Sequence, residues 1–408
     1  MIDFELSSEI QQTRQTIHMV AEHAMRPISR EYDEREHEKP WEFLKMMWDA
    51  SRSSKAATIG GGRAKTEEGP SERNLMTVIT IEELSWGDAG MYLSIPNPGL
   101  GGAAIAAAGN AEQKERYLVH FREGEPKWGA MAITEPGCGS DSAAITTTAV
   151  RDGDHWVLNG TKIFVTSGLM AAKESKGFVV VWATVDKAAG RGGIKAFIVD
   201  AGTPGMTVTK TEDKMGIRAS DTAAIVFEDC RVPLGNLLGS EKVQKKTTEG
   251  FKGVMATFDA TRPIVAASAI GIGRAAVDFV REALEQAGVA IRYGISPRRL
   301  TTLERDFMDM EANLQAARLL TWRAAWMMDQ GMHNNLEASM CKAKAGLAVT
   351  LVTQKAVELL GPLGYSRKYL LEKWMRDAKI NDIYEGTGQI NTLIVARRLL
   401  GYSSRDLT

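Results

Sequence analysis

The sequence predicts an α+β multidomain chain of 408 residues, in which a helical part is followed by a β domain and then by a helix bundle. Three observations support this prediction. Apolar residues recur every three or four positions up to about residue 125, short β-prone runs follow from about residue 129, and the helical period returns near residue 245. We therefore expect domains at residues 1–128, 129–240 and 241–408.

The first part contains clear signals for helix ends. The stretch SSEIQQTRQTIHMVAEHA begins with a serine that is suited to cap a helix. Residues 51–73 are rich in glycine and charge, which is typical of a loop. Gly109 is expected to end a later helix, and Asn110 with Gln113 forms the capping-box pattern that begins the next one.

The middle part predicts a mainly antiparallel sheet. In HWVLNGTKIFVT the pair Asn159-Gly160 stands between two β-prone runs, and this dipeptide favours a tight hairpin turn. Further β-prone runs follow at short intervals, each broken by Gly, Pro or Asp, and end near Val232-Pro233. Short strands joined by turns indicate one compact β domain.

The last part predicts a long amphipathic helix within a bundle. Ser296 is expected to cap this helix and Pro297 to occupy its first turn. Apolar side chains then recur at steps of three and four, which is typical of a core seam. These residues are Leu300, Leu303, Phe307, Met310, Leu314 and Ala317.

Composition excludes several classes of function. The net charge is −1, which favours neither nucleic acid nor an acidic membrane surface, and no apolar run approaches the roughly 18 residues that span a bilayer. Three cysteines and six histidines show no disulfide framework and no metal-ligand spacing. The first residues resemble neither a secretory nor a transit signal. We expect a cytoplasmic protein with no metal site and no membrane span.

Two glycine clusters do not have the context of a nucleotide-binding motif. GGGRAKTEEG (60–69) lacks the final GK[ST] of a phosphate-binding loop and has no clear strand before it. GIGRAA (271–276) lies within a helical pattern and lacks a third glycine. The first is interpreted as a loop, and the second as a site of close helix packing.

Two other stretches are candidates for a functional site. The PGCGSD turn within GAMAITEPGCGSDSAA (129–144) offers backbone N–H groups together with Thr134 and Ser140, which suits a flat polar ligand or a phosphate. A plain domain junction explains it equally well. In IYEGTGQI (383–390), Glu385 is a single acid among uncharged neighbours. It is either an ordinary solvated loop charge or a catalytic group.

TEPGCGSD closely resembles the TEPGAGSD element of the acyl-CoA dehydrogenases. Other stretches resemble blocks of the same family, in the same order, and together they cover nearly the whole chain. They are EELSWGDAGM, AGNAEQKERYL, MGIRASDTAAIVFEDCRVP, FDATRPIVAASAIGIGRAAVD, ELLGPLGYSRKYLLEKWMRDAKI and IYEGTGQINTLIVAR. The resemblance implies a helical domain, a β domain and a four-helix bundle, with FAD bound between the last two. It also implies a homotetramer (a dimer of dimers) that passes electrons to an electron-transfer flavoprotein.

The resemblance also assigns the chemistry, in which an acyl-CoA becomes a trans-2-enoyl-CoA through loss of an α proton and transfer of a β hydride to flavin N5. The YEGT glutamate is the base in the matching family motif, which places this role on Glu385. Its backbone N–H, with a flavin ribityl hydroxyl, would hold the thioester oxygen. Some family members carry the base at the position of Thr261, and a threonine cannot serve there.

The remaining site residues follow from the same resemblance. Those expected at the cofactor are Met131, Ile133, Thr134, Gly139, Ser140, Phe164, Val165, Thr166, Glu358, Gly386, Thr387 and Gln389. Those expected at the substrate are Ser140, Asp259, Arg262, Tyr384 and Arg397. For Arg262 the alternative is a helix-end surface charge. Phe164 stands where the family usually has tryptophan. Gly386 and Gly388 are interpreted as places where backbone and flavin approach closely.

Some positions depart from the family pattern. Ala290 replaces an arginine that reaches the FAD of a neighbouring subunit, and Arg292 is a candidate substitute. Pro362 stands where a glycine is common and Glu358 where a glutamine is common. These changes bring the cofactor contacts between subunits into question and leave the fold unaffected.

Substrate choice depends on a run of small residues. PGLGGAAIAAAGN (98–110) belongs to the helix expected to line the acyl cavity, and small side chains leave volume for a long or bulky acyl chain. Tight helix packing is the alternative reason for such a run. An FAD flavoprotein of fatty acid metabolism is the leading interpretation of the chain. An acyl-CoA oxidase, a related flavin monooxygenase and a non-catalytic CoA-binding subunit are the alternatives.

Overall fold

The computed structural model describes residues 5–53, 71–243 and 249–402. The GGGRAKTEEG stretch, interpreted above as a loop, lies outside these residues. Helices form the first and last parts of the chain and a sheet forms the middle part, as predicted.

Six helices precede the sheet in the described residues. They are α1 (Ser8–Val20), α2 (Ser29–Glu34), α3 (Trp41–Ser53), α4 (Arg73–Ser94), α5 (Gly99–Ala108) and α6 (Ala111–Lys114). The serine cap is confirmed, because Ser7 Oγ accepts the N–H of Ile10 at 3.5 Å. The capping box is also confirmed. The Asn110 side chain accepts from the Gln113 N–H at 2.8 Å, and the Gln113 side chain accepts from the Asn110 N–H at 2.9 Å.

Eight strands form one sheet in the middle part. They are β1 (Gly129–Ala132), β2 (Thr148–Asp152), β3 (His155–Thr166), β4 (Phe178–Thr184), β5 (Ile194–Asp200), β6 (Met206–Thr211), β7 (Thr222–Pro233) and β8 (Leu237–Leu238). Their order is β6-β7-β3-β2-β4-β5-β8, with β1 beside β4. Only the β1–β4 and β2–β4 pairings among these strands are parallel, so the sheet is mainly antiparallel, as predicted.

The predicted hairpin turn at Asn159-Gly160 is wrong. Both residues lie inside β3, and the turn between β2 and β3 is made by Gly153-Asp154 instead. The pairing of β3 with β7 shifts register between Leu158 and Gly160. A Cβ at Gly160 would overlap Thr147, so the glycine is needed for close approach at an irregular point of the strand.

Six helices follow the sheet in the described residues. They are α7 (Glu249–Gln286), α8 (Thr302–Asp329), α9 (Asn335–Leu360), α10 (Pro362–Tyr365), α11 (Leu371–Lys379) and α12 (Gly388–Leu399). The predicted start of α8 is wrong, because Pro297–Arg299 forms only a short 3₁₀ turn. The helix begins after Thr301, whose N–H and hydroxyl bind the Glu304 carboxylate at 2.7 and 2.8 Å. This capping box satisfies more of the free N–H groups than a serine followed by proline does.

The long helices pack closely through their predicted apolar seams. On α8 the side chains of Phe307, Met310, Leu314 and Ala317 are buried, as the periodicity predicts, and Leu303 is half-buried. Leu300 lies before the helix and is also half-buried. A Cβ at Gly271 would overlap the backbone of α4, and one at Gly273 would overlap Leu314. The glycines of GIGRAA therefore allow close helix packing, as interpreted.

One helix in the described part of the chain is long and apolar enough to cross a membrane, by length and composition alone. It is Met255–Gln286 within α7, with a mean hydropathy of 1.5 in its most apolar window, and 78% of that window is buried inside the protein. A core helix of a bundle has these same properties.

Candidate active site

A cavity of about 2080 Å³ lies where the three parts of the chain meet. Helices α4, α5 and α7, strand β1, the end of β3 and the segment from Ile383 to Arg397 contribute to its walls. Most of the predicted site residues line it. They are Met131, Ile133, Thr134, Gly139, Ser140, Phe164, Thr166, Arg262, Tyr384, Glu385, Gly386, Thr387 and Arg397. The fold thus brings residues from distant parts of the sequence to one place.

Glu385 lies on the cavity wall, in the short connection between α11 and α12. The Thr387 side chain caps α12 and accepts the N–H of Ile390 at 3.3 Å, which fixes the end of this connection. Glu385 itself has a φ of +52°, an unfavourable conformation for a residue with a side chain. Such strain persists only where the surroundings hold it, and it is concentrated at functional sites.

The Glu385 carboxylate receives a hydrogen bond from Thr261 on α7. The Thr261 hydroxyl donates to Oε2 of Glu385 at 2.6 Å, and the threonine is buried. The position that carries the base in some family members therefore contacts Glu385, the expected base, in this chain. Sequence reasoning found only that Thr261 cannot be a base, and missed its hydrogen bond to Glu385.

The surroundings of Glu385 set its charge state. Burial raises the pKa of Glu385, while the Thr261 hydrogen bond and the positive charges of Lys342 and Arg262 lower it. The charge of the same carboxylate acts on Tyr92 and Tyr384. Burial raises the pKa of both phenols and the charge of Glu385 raises it further, so both stay neutral. A desolvated carboxylate with a raised pKa is a competent general base near neutral pH.

Lys342 is a site residue that sequence reasoning missed. It lies on α9 with 1% of its surface exposed, and its Nζ donates to the carbonyl oxygen of Gly386 at 2.6 Å. Burial lowers the pKa of Lys342 to about 8, although Glu385 and Asp382 act to raise it. The available signal in the sequence was a lysine on a helix face that is otherwise made of small, buried residues. Nothing near it in the sequence connects this lysine with Glu385.

The two glycines after Glu385 have different roles. Gly386 has a φ of +92°, which favours glycine, and its carbonyl oxygen accepts from Lys342 and from the Asn391 side chain. Gly388 begins α12, and a Cβ there would overlap the carboxylate of Asp382. The neighbouring Asp382 side chain is thus a second reason for glycine at this position, and a close approach of flavin to Gly388 stays a prediction.

The TEPGCGSD segment is a loop anchored by a buried ion pair. Glu135 accepts hydrogen bonds from the backbone N–H groups of Thr146 and Thr147 at 2.6 and 2.9 Å and from Nζ of Lys162 at 2.8 Å. Burial acts to raise the pKa of Glu135, but these bonds hold it at about 2. A Cβ at Gly139 would meet open space, and Gly139 lines the cavity. The anchored loop thus presents its free face to a ligand, beyond what a plain domain junction requires.

The second predicted cofactor segment, KIFVTSG, alternates between cavity and core. Phe164 has a φ of +57° and is 59% exposed on the cavity wall, and Thr166 also lines the cavity. The Val165 side chain, in contrast, is 1% exposed and packs in the core. Because successive strand residues point to opposite faces, the Val165 side chain points away from the cavity, and a contact of this residue with the cofactor would have to come from its backbone. The predicted role of Val165 stays a prediction.

Besides Val165, three predicted site residues do not line the cavity within one chain. Glu358, near the end of α9, is exposed and pairs with Lys355 at 2.8 Å. Gln389 is exposed on α12. Asp259 accepts from Asn335 at 2.8 Å and pairs with Arg262 at 3.1 Å, so its carboxylate supports Arg262.

Two arginines on the cavity wall carry N–H donors without a partner in the described residues. Arg262 is 2% exposed, which excludes the alternative that it is a surface charge. Its Nε and the Nε of Arg397 are buried and make no hydrogen bond there. Buried donors of this kind need an acceptor, and a polar ligand in the cavity can supply it.

The small residues of α5 are used for packing. A Cβ at Gly99 or Gly101 would overlap the carbonyl oxygens of Gly129 or Ala130 in β1, and one at Gly102 would overlap Pro98. Gly99 and Gly101 are thus required to bring α5 against the sheet, and Gly102 is required within the helix itself. Tight packing therefore explains these glycines, and space for a long acyl chain is not needed to account for them.

The structure shows the surroundings of two residues that concern the departures from the family pattern, Arg292 and Pro362. Arg292, the candidate substitute for the residue replaced by Ala290, pairs with Glu304 through Nε at 2.6 Å. Pro362 begins α10, where its fixed φ suits a first helical turn. Within one chain, Arg292 is therefore held by its own subunit.

A group of three potential metal ligands near the surface is instead bound to neighbouring charged side chains. Ligand atoms of Glu36, His37 and Asp213 lie within 4.8 Å of one another. Lys214 and Arg218 pair with Glu36 at 3.4 and 2.9 Å, and His37 contacts Asp213 at 3.1 Å. These contacts account for the group as a network of charges.

Comparison with known protein families covers nearly all of the chain. Three family models match: "Acyl-CoA dehydrogenase, N-terminal domain" over residues 7–125, "Acyl-CoA dehydrogenase, middle domain" over 130–230 and "Acyl-CoA dehydrogenase, C-terminal domain" over 248–400.

Individual relatives agree with these matches. The short-chain specific acyl-CoA dehydrogenase of Clostridium acetobutylicum is 36% identical, over 98% of this chain and 100% of its own. The structure of butyryl-CoA dehydrogenase from Megasphaera elsdenii is 33% identical with a TM-score of 0.84, over 98% and 100%. A chain in the structure of the electron transferring flavoprotein of Acidaminococcus fermentans is 35% identical with a TM-score of 0.83, over 98% and 100%.

Proposed function

The chain belongs to the acyl-CoA dehydrogenase family, and from this premise we propose that it oxidises a short-chain acyl-CoA with Glu385 as the base. It is an FAD-dependent oxidoreductase that acts on a CH–CH group of its substrate. The observation that carries the assignment of the base is the position of the Glu385 carboxylate, which lies on the cavity wall with its Oε2 bound by Thr261 at 2.6 Å.

The residues of the cavity fit FAD. The exposed Phe164 ring on the cavity wall offers an apolar face to a planar ring system, and Thr134 and Ser140 offer hydroxyls. The Glu135-anchored loop and the first turn of α12 add backbone N–H groups. Bound FAD supplies an acceptor for the β hydrogen and its electron pair.

Glu385 performs the proton transfer in this proposal. Its ionised carboxylate takes the α proton and becomes a carboxylic acid, while the electrons of the Cα–H bond form the new double bond. Thr261 holds the carboxylate in place, and the raised pKa of Glu385 makes it a stronger base than an exposed glutamate. Tyr92 and Tyr384 line the same cavity, where their rings add apolar surface.

Charge that develops on the thioester oxygen requires a donor. No hydrogen bond from the backbone N–H of Glu385 is found within the described residues, so this group is available to the substrate. Buried Arg262 and Arg397 offer further donors to the polar part of a CoA thioester. The chain thus supplies both a base and an oxyanion donor at the reacting carbon atoms.

A short acyl chain is favoured by the relatives. The curated relative from Clostridium acetobutylicum is named as short-chain specific, and the Megasphaera elsdenii structure is a butyryl-CoA dehydrogenase. The space beside the glycines of α5, which suggested room for a long acyl chain, is filled by neighbouring atoms of the protein. We therefore expect butyryl-CoA to be a better substrate than long-chain thioesters.

The acceptor, assembly and compartment are further parts of the proposal. The match to a chain of an electron transferring flavoprotein structure supports an electron-transfer flavoprotein as acceptor. Exposed Leu347 and Leu351, one turn apart on α9, favour packing against further copies in a homotetramer, which would also give exposed Glu358 a neighbouring cofactor to contact. Three free, buried cysteines suit a reducing cytoplasm, in which the enzyme would serve fatty acid metabolism.

An anaerobic substrate panel tests the proposal. The purified protein is mixed with acyl-CoA thioesters of increasing chain length, and bleaching of the flavin absorption is followed. We expect bound flavin and fastest bleaching with butyryl-CoA. A colourless protein that does not bind FAD would support the non-catalytic alternative. Rapid oxygen consumption in place of transfer to an acceptor flavoprotein would support an oxidase or monooxygenase.

A further inference from the structure

Lys342 is a buried cation whose only described hydrogen-bond acceptor lies one residue after the proposed base. We propose that Lys342 is a positioning residue, which fixes the backbone after Glu385 and keeps its carboxylate ionised by the nearby ammonium charge. The inference depends on the proposed function of Glu385. Its evidence is the contact of Nζ with the Gly386 carbonyl oxygen, at 2.6 Å and across 44 residues of sequence.

The backbone that Lys342 binds is in an unusual conformation. Glu385 and Gly386 have φ values of +52° and +92°, so two successive residues adopt positive φ. For a glutamate this conformation is unfavourable, and it has to be held by other contacts. Lys342 and the Asn391 side chain both donate to the Gly386 carbonyl oxygen and supply such contacts.

The charges around the Glu385 carboxylate come from several elements. Lys342 on α9 and Arg262 on α7 lower its pKa. The charge of Glu385 acts in turn on the phenols of Tyr92 and Tyr384, and Asp382 acts on Lys342. Arg262 is already paired with Asp259 at 3.1 Å. Lys342 has no carboxylate within ion-pair distance in the described residues, so its charge is free to act on Glu385.

The burial of Lys342 is unfavourable for folding. With 1% of its surface exposed, the ammonium loses its hydration, and its pKa falls to about 8. Between this value and about 10.4, the unfolded value, the unfolded chain holds more protons, so this residue adds stability as the pH rises through that window. Below it the full cost of the buried charge is present. A residue with a purely structural role would stabilise the fold at neutral pH, whereas this one is retained at a cost.

A Lys342→Met variant separates the two roles. Methionine keeps the length and apolar stem of the side chain, and the Gly386 carbonyl oxygen keeps its bond from Asn391 at 2.8 Å. We expect the variant to retain flavin and to unfold at the native temperature or higher. The acidic limb of the pH profile for flavin reduction by butyryl-CoA should move up by about one pH unit or more, because a nearby positive charge is lost.

Lys344→Met is the matched control. Lys344 lies two residues further along α9, and its Nζ donates to Asn313 at 2.6 Å, so the same chemical change is made outside the site. Its pH profile should equal that of the native enzyme. An unshifted profile in Lys342→Met, or a clear drop in its unfolding temperature, would overturn the inference. Failure of the native enzyme to reduce its flavin would instead refute the proposed function itself.

Discussion

Thr261 offers a direct test of how the site sets the charge of its base. Its hydroxyl donates to Oε2 of Glu385 at 2.6 Å, Thr261 is buried, and burial raises the pKa of Glu385. A Thr261→Val substitution keeps the shape of the side chain and removes only this donor. The carboxylate then loses a hydrogen bond that favours its ionised form, so its pKa must rise.

The size of the effect follows from the type of bond. A hydrogen bond to a charged group contributes about 1.5–3 kcal/mol, and one pKa unit corresponds to about 1.4 kcal/mol. We therefore expect the pKa of Glu385 to rise by about 1–2 units in Thr261→Val. Below that pKa the base is protonated, so the rate falls at low pH and recovers as the pH is raised.

The assay is the rate constant for anaerobic flavin reduction by butyryl-CoA, measured by rapid mixing across the pH range. Thr353→Val is a suitable control, because Thr353 is a buried helical threonine whose hydroxyl donates to the Val349 carbonyl oxygen at 2.8 Å. If the acidic limb of the pH–rate profile of Thr261→Val lay at the same pH as that of the native enzyme, the argument that this hydroxyl stabilises the ionised base would be refuted.

Three further outcomes are expected. Glu135→Gln should lower the free energy of unfolding by about 3–5 kcal/mol and weaken flavin retention, because it leaves Lys162 buried without a counter-charge. Thermal unfolding and flavin release measure these two effects, and native values in both would contradict the prediction. Burial acts to raise the pKa of Glu83, but hydrogen bonds to its carboxylate hold that pKa at about 2. The free energy that Glu83 contributes to folding should therefore be complete above about pH 4.5 and lost toward pH 2, as measured by denaturant titrations at each pH. A Glu83→Gln variant with the acid sensitivity of the native protein would contradict this. Gly386→Ala should slow flavin reduction because alanine disfavours a φ of +92°, and a native rate would show that this backbone tolerates a side chain.

Local sequence signals predicted local structure well. Ser7 and the Asn110–Gln113 pair mark helix starts because their bonding partners lie within three residues along the chain. The same kind of signal failed at Asn159-Gly160, where a glycine was required by Thr147 across the sheet. Asn-Gly permits a tight turn, but glycine can also be required because another strand approaches closely. The dipeptide alone does not distinguish these two reasons.

The candidate site shows the same limit. Resemblance to a family placed the base at Glu385, and the fold brings it to the cavity. Its two supporting contacts were not predicted, because Thr261 and Lys342 reach this segment from other helices. Both are ordinary residues of an amphipathic helix in the sequence. Only the packing of α7 and α9 against the connection before α12 gives them a role.

Anaerobic mixing of native enzyme and Glu385→Gln with butyryl-CoA tests the central claim most directly. Glutamine preserves the size of the side chain and an oxygen for Thr261, so the variant should fold and keep its flavin. We expect the native flavin to bleach and the variant to bleach at least about 100-fold more slowly, as loss of a general base requires. A flavin-loaded Glu385→Gln protein that bleaches at the native rate would contradict the account.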